Sequence, residues 1–114
     1  MIEPLLVGLG GSLGAAGRYA VDIALADRSF VVPTLVVNVV GSFAFGLLVA
    51  VGAGERAVLF GAVGFCGAFT TYATFSVDAV RLWEGSRLTA LAYAVGTLVL
   101  CLLATVFAAG LAAI

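Results

Sequence analysis

Three stretches of this chain carry no charged residue: 29–54, 57–77 and 88–114, of 26, 21 and 27 residues. About 20 predominantly apolar residues suffice for a helix to cross the hydrocarbon core of a bilayer. A fourth run, 4–17, is only 14 residues long, but its apolar pattern continues past Arg18 to Asp22 and Ala26. We therefore expect an all-α integral membrane protein in one transmembrane domain, 1–114, with spans roughly over 4–26, 33–53, 57–82 and 88–112. Pro4 and Pro33 suit the first turn of a helix, where the missing N–H costs nothing.

Composition closes off the alternatives. Hydrophobic residues make up 64% and charged residues 10%, against roughly 45–50% and 25% in a soluble domain. A soluble enzyme, a nucleic-acid binder and a disordered regulator all fit poorly. The five basic residues are all Arg and the net charge is −1, too little to grip a phosphate backbone. With no His, the usual general base and transition-metal ligand are missing. Cys66 and Cys101 lie inside apolar runs and read as small buried hydrophobes.

The loops centre on 27–29, 54–56 and 83–87, the last holding an interfacial Trp83. Met-Ile-Glu lacks the positive flank of a secretory signal, so the first span is expected to be retained. Arg56 stands on the side of the termini, against Arg28, Arg87 and Arg81 opposite. Two readings of so small a bias stay open: termini outside, or insertion both ways with head-to-tail pairing. Glycine is abundant, 15 residues, with Gly10 and Gly14 in a GxxxG and Gly61, Gly64 and Gly67 at threefold spacing on one helix face. Such faces allow close approach within a subunit or between two.

Polar residues inside a span are costly unless they face protein or water. In the fourth span Thr89, Tyr93, Thr97, Cys101 and Thr105 recur every fourth position, one slowly spiralling stripe. Thr34, Asn38 and Ser42 repeat the pattern in the second. Interhelical hydrogen bonding accounts for such residues one at a time. Two stripes of neutral donors with no carboxylate also fit a path for an anion, whereas cations call for acidic or carbonyl rings. The segment 64–76, GFCGAFTTYATFS, combines glycines, a Thr pair and four aromatics. Its composition admits an interrupted helix, though a plain helix with an aromatic face accounts for it more simply.

The string GFCGAFTTYATFSVD resembles the signature GFCGGxTTFSTFSxE of the Fluc/CrcB fluoride channel family. GGSLGAAGRY and PTLVVNVVGSFAFG fit the family's first and second spans in order. The resemblance implies a passive, fluoride-selective channel in the cell membrane, not an enzyme. It implies an antiparallel dual-topology dimer with an interrupted third helix and a structural, untransported Na⁺ at its centre. Residue by residue, Gly67 and Thr70 match the positions whose backbone carbonyls bind Na⁺. Asn38, Tyr72, Thr74, Phe75, Tyr93 and Thr97 match the fluoride path, and Arg18 matches the vestibule arginine.

The chain departs from the signature at Ala68, Tyr72, Ala73 and Asp78. None removes a backbone ligand, but Tyr72 and Ala73 leave both a homodimer and a heterodimer with a paralogous subunit open. Small drug/proton antiporters share the size and span number but resemble a carrier built around a membrane-centred Glu in the first span. Here that span offers only Asp22 near its end, expected to pair with Arg18 at i,i+4.

Overall fold

The computed structural model describes residues 1–114 and is helical, without strands. Helix α1 is Glu3–Ala24 and α2 is Val31–Ala50. A third helix, α3, is built of Glu55–Ala57, a π-helical Val58–Cys66 and Gly67–Phe69. After the two extended residues Thr70 and Thr71 come α4, Tyr72–Gly85, and α5, Arg87–Ala112. The expected third span is therefore interrupted, and α3 with α4 make its two halves. Three stretches are long and apolar enough to cross a membrane: α2, Glu55–Gly85 and α5. The 22-residue α1, which holds Glu3, Arg18 and Asp22, falls short of that criterion.

Local chemistry sets the ends. Pro4 stands in the first turn of α1 and Pro33 is the third residue of α2. The second helix stops at residue 50 rather than the expected 53 because Gly52 takes a positive φ of 70°. The Gly52 N–H then bonds the Val49 carbonyl at 3.2 Å and the Ala53 N–H the Leu48 carbonyl at 3.3 Å. This is a Schellman closure, which left-handed glycine permits and which satisfies two orphan carbonyls. Ser86 caps α5, accepting the Thr89 N–H at 3.3 Å.

Two long packings build the subunit: α1 lies along α3, and α2 along α5. In the first, glycine removes the side chains that would hold the backbones apart. A methyl on Gly10 would run into the Phe60 carbonyl, and one on Gly14 into the Phe65 carbonyl. The GxxxG thus serves packing within the subunit, where Cα–H groups face carbonyl oxygens. The threefold series does not form one face. Gly61 meets Leu48 of α2, Gly64 meets Val7 and Gly10 of α1, and Gly67 has nothing within 4 Å. The i→i+5 bonding of a π-helix puts more residues in each turn, so the spacing that aligns residues on an α-helix spreads them here.

Only 14 of 114 residues are buried, and Leu, Val and Phe cover the outside, as a surface solvated by lipid requires. Gly14→Ala should lower the thermal unfolding midpoint in detergent, since forced overpacking costs about 1–3 kcal/mol. Gly96→Ala, where nothing stands within 4 Å, should not lower it.

Candidate functional site

Thr70 and Thr71 are where the sequence, the local structure and the chemistry meet. Thr70 returns its hydroxyl to the Cys66 carbonyl at 2.8 Å, competing with continued helix. Thr71, at φ −149° and ψ 119°, caps α4, its hydroxyl accepting the Thr74 N–H at 3.1 Å. The Thr71 backbone is claimed by α2: its N–H donates to Asn38 Oδ1 at 2.8 Å, and Asn38 Nδ2 donates to its carbonyl at 3.1 Å. Two carbonyls lose their helical donors in the process. Gly67 would receive the Thr71 N–H and Thr70 the Thr74 N–H in an unbroken helix. Both of those donors are engaged elsewhere, and no other backbone N–H reaches the Thr70 oxygen.

A groove of about 580 Å³ opens beside the break, between α2, α4 and α5. Asn38, Ser42, Thr70, Thr71, Tyr72, Phe75, Thr97 and Cys101 line it with Ala94, Val95 and Leu98, and no charged side chain is among them. Tyr72 and Phe75 stand 6.1 Å apart, and Phe75 stands 5.3 Å from Tyr93, each pair tilted. The Thr97 hydroxyl, in the wall of this groove, is buried without a hydrogen-bond partner in the chain. Buried polar groups are otherwise nearly always paired, so this one is left to a partner from outside the chain. A second groove of about 270 Å³ lies across the break, with Gly67, Thr70, Cys66 and Thr105 in its wall.

The nominated residues divide accordingly. Asn38, Tyr72, Phe75 and Thr97 come together in the larger groove, with the Tyr93 ring tilted against Phe75. Thr74 lies at the exposed start of α4, its hydroxyl accepting from that of Thr71 at 3.1 Å. Gly67 and Thr70 line the smaller groove together. Arg18 is half-buried and lines neither. Its expected pair with Asp22 does not form, since the chain's ion pairs are Met1–Glu3 and Asp27–Arg28. Asp22 is exposed.

Residues 5–110 match the family described as CrcB-like protein, Camphor Resistance (CrcB). The chain belongs to the CrcB family. A protein of Natronomonas pharaonis named Fluoride-specific ion channel FluC 2 is 47% identical over 105 residues, spanning 91% of this chain and 89% of its own length. The Fluoride-specific ion channel FluC of Paracoccus denitrificans is 46% identical over 109 residues, spanning 90% and 87%. In Halobacterium salinarum a protein named FluC 1 is 45% identical over 95 residues, spanning 82% and 80%.

One feature of this CrcB-family chain lay outside the sequence reading. Asp78, noted only as a departure from the signature, is 4% exposed and accepts from the Thr34 hydroxyl at 2.8 Å. The signal was a carboxylate inside an otherwise apolar span, for which an intramembrane partner is the rule. The Thr105 hydroxyl donates within reach of the Ser42 and Cys101 carbonyls, at 3.2 and 2.9 Å, so the outer parts of both stripes serve as interhelical glue. Thr34→Val should therefore destabilise the protein, because stranding a buried acceptor costs about 1–3 kcal/mol and more when charged. Thr97→Val, which removes a hydroxyl with no partner in the chain, should leave the unfolding midpoint unchanged; chemical or thermal denaturation in detergent compares the two.

Proposed function

We propose that the chain is a subunit of a fluoride-selective channel, a multi-pass protein of the cell membrane that lets fluoride leave the cell passively. The observation that carries this reading is the larger groove, walled by neutral donors and aromatic rings and free of charge. Similarity to proteins named fluoride-specific ion channels supports it. Fluoride is small and strongly hydrated, and a bare charge at mid-membrane is expensive. Asn38 and Thr97 donate hydrogen bonds, and the edges of Tyr72 and Phe75 carry the positive side of the ring quadrupole. A fixed Arg there would bind fluoride too well to let it go; conduction needs binding weak enough to leave.

In this reading α1 also crosses the membrane, as the first of four spans. At about 1.5 Å per residue its 22 residues reach about 33 Å. Two subunits pair antiparallel in a dual-topology dimer. The subunit is only 22 Å across its shortest dimension and its groove is open on one side, so a second subunit is needed to close a path. The small Arg bias fits insertion in both directions. A structural Na⁺, not transported, lies between the subunits. The freed carbonyls of Gly67 and Thr70 fit it: two from each of two chains give four oxygens for a hard cation. Bound there, it would supply positive charge and a cross-link. The numbered names FluC 1 and FluC 2 among the relatives support the heterodimeric form as well as the homodimeric one. No acid sits in the middle of α1 to serve a proton-coupled carrier; Glu3 and Asp22 stand near its ends.

Purified protein in liposomes, followed with ion-selective electrodes, should pass fluoride and exclude chloride by orders of magnitude; equal flux would defeat the reading. In the same assay Tyr72→Phe should keep selectivity and change throughput about tenfold or less, the worth of one hydrogen bond. Phe75→Ala, which removes a ring from the path, should do more damage. Silence of the chain alone, with transport restored by Tyr72→Phe, would point to the heterodimer.

A further inference from the structure

The Asn38 side chain does more than face a groove. Its amide is laid against a single residue, accepting the Thr71 N–H and donating to the Thr71 carbonyl. An amide placed this way imitates the edge of a neighbouring strand and holds Thr71 extended, at φ −149° and ψ 119°. The first bond removes the donor that the Gly67 carbonyl would receive in a continuous helix. The extended conformation lets the Thr71 hydroxyl, rather than the Thr70 carbonyl, take the Thr74 N–H. Both candidate cation ligands are thus freed as a consequence of one side chain on α2.

We infer that Asn38 is a positioning residue for the cation site: it holds the break open and keeps the Gly67 and Thr70 oxygens available to a hard cation. This rests on the reading of those two oxygens as Na⁺ ligands. The Asn38 nitrogen carries two hydrogens, and only one is used by Thr71, so the other is left for the groove. The anion path and the cation site therefore share a side chain. A substitution made to probe the path also disturbs the cation.

The two roles separate because a proline can replace the clamp. Tyr72 is the first residue of α4, where proline has no intrahelical N–H to lose and brings a helical φ. Proline also forces the residue before it towards extended backbone, the conformation Thr71 already has. Tyr72→Pro should hold the break without Asn38. Since Tyr72 lines the groove, the readout is cation dependence rather than flux.

The test is the unfolding midpoint of purified protein in detergent as Na⁺ is titrated against a large organic cation. Loss of general stability lowers the midpoint at every Na⁺ concentration, but only a change at the cation site moves the Na⁺ concentration at which the midpoint begins to rise, because binding to the folded form stabilises it as RT ln(1 + [Na⁺]/Kd). Asn38→Ala should raise that onset about tenfold or more, and adding Tyr72→Pro should bring it back to within about threefold of wild type. Asn38→Asp keeps the acceptor but sets a carboxylate against the Thr71 carbonyl; it should shift the onset about threefold or more, and it carries the test if Asn38→Ala does not fold. A wild-type onset in either single variant overturns the inference alone. A wild type indifferent to Na⁺ overturns the reading of Gly67 and Thr70 and the inference with it.

Discussion

Backbone polar groups at membrane depth have no water to turn to, and the molecule is organised around the one place where its chain leaves the helix there. At Thr70 and Thr71 the freed groups are distributed among named partners. The Thr71 N–H and carbonyl go to Asn38, and the Thr74 N–H goes to the Thr71 hydroxyl. The Gly67 and Thr70 carbonyls are left over. Unwound backbone of this kind persists where it is buried in protein or lines a cavity, and two grooves flank it. Half-helix ends and free carbonyls at such breaks are suited to ions.

The rest of the structure holds that break in place. Methyl-free contacts at Gly10 and Gly14 bring α1 onto α3, and Gly41 leaves room for the Thr70 methyl. The Thr34–Asp78 bond fixes α4 to α2 on the far side. It also keeps the one buried carboxylate out of the groove lining, which stays neutral. The remaining charge stands near the helix ends: Arg81 lies over the Phe30 ring at 4.0 Å and Arg87 over Trp83 at 5.2 Å. Aromatic rings at that level match the interfacial preference of Trp and the stacking habit of Arg.

Helices were legible wherever a signal was local. Uncharged runs located α2, α3 and α5, and the stripe from Tyr93 to Thr105 marked a protein-facing side of α5, although Thr89 at its start is exposed. Nonlocal causes were not legible. Composition favoured a plain helix at 64–76, because the amide that breaks it comes from Asn38, 33 positions away from Thr71; only the family resemblance pointed to an interruption. The threefold glycine series misled because nothing in it announces π winding. Gly52, read as part of a longer helix, ended α2 by taking a left-handed φ. Asn38 and Thr34 looked like members of one polar stripe, yet one holds a broken backbone and the other a carboxylate.

The most direct test of the account is the reversal potential of the reconstituted protein in a planar bilayer with a gradient of NaF. An anion path beside a fixed cation predicts a reversal at the fluoride equilibrium potential, unmoved when Na⁺ alone is varied on one side. A reversal that follows the Na⁺ gradient would contradict it.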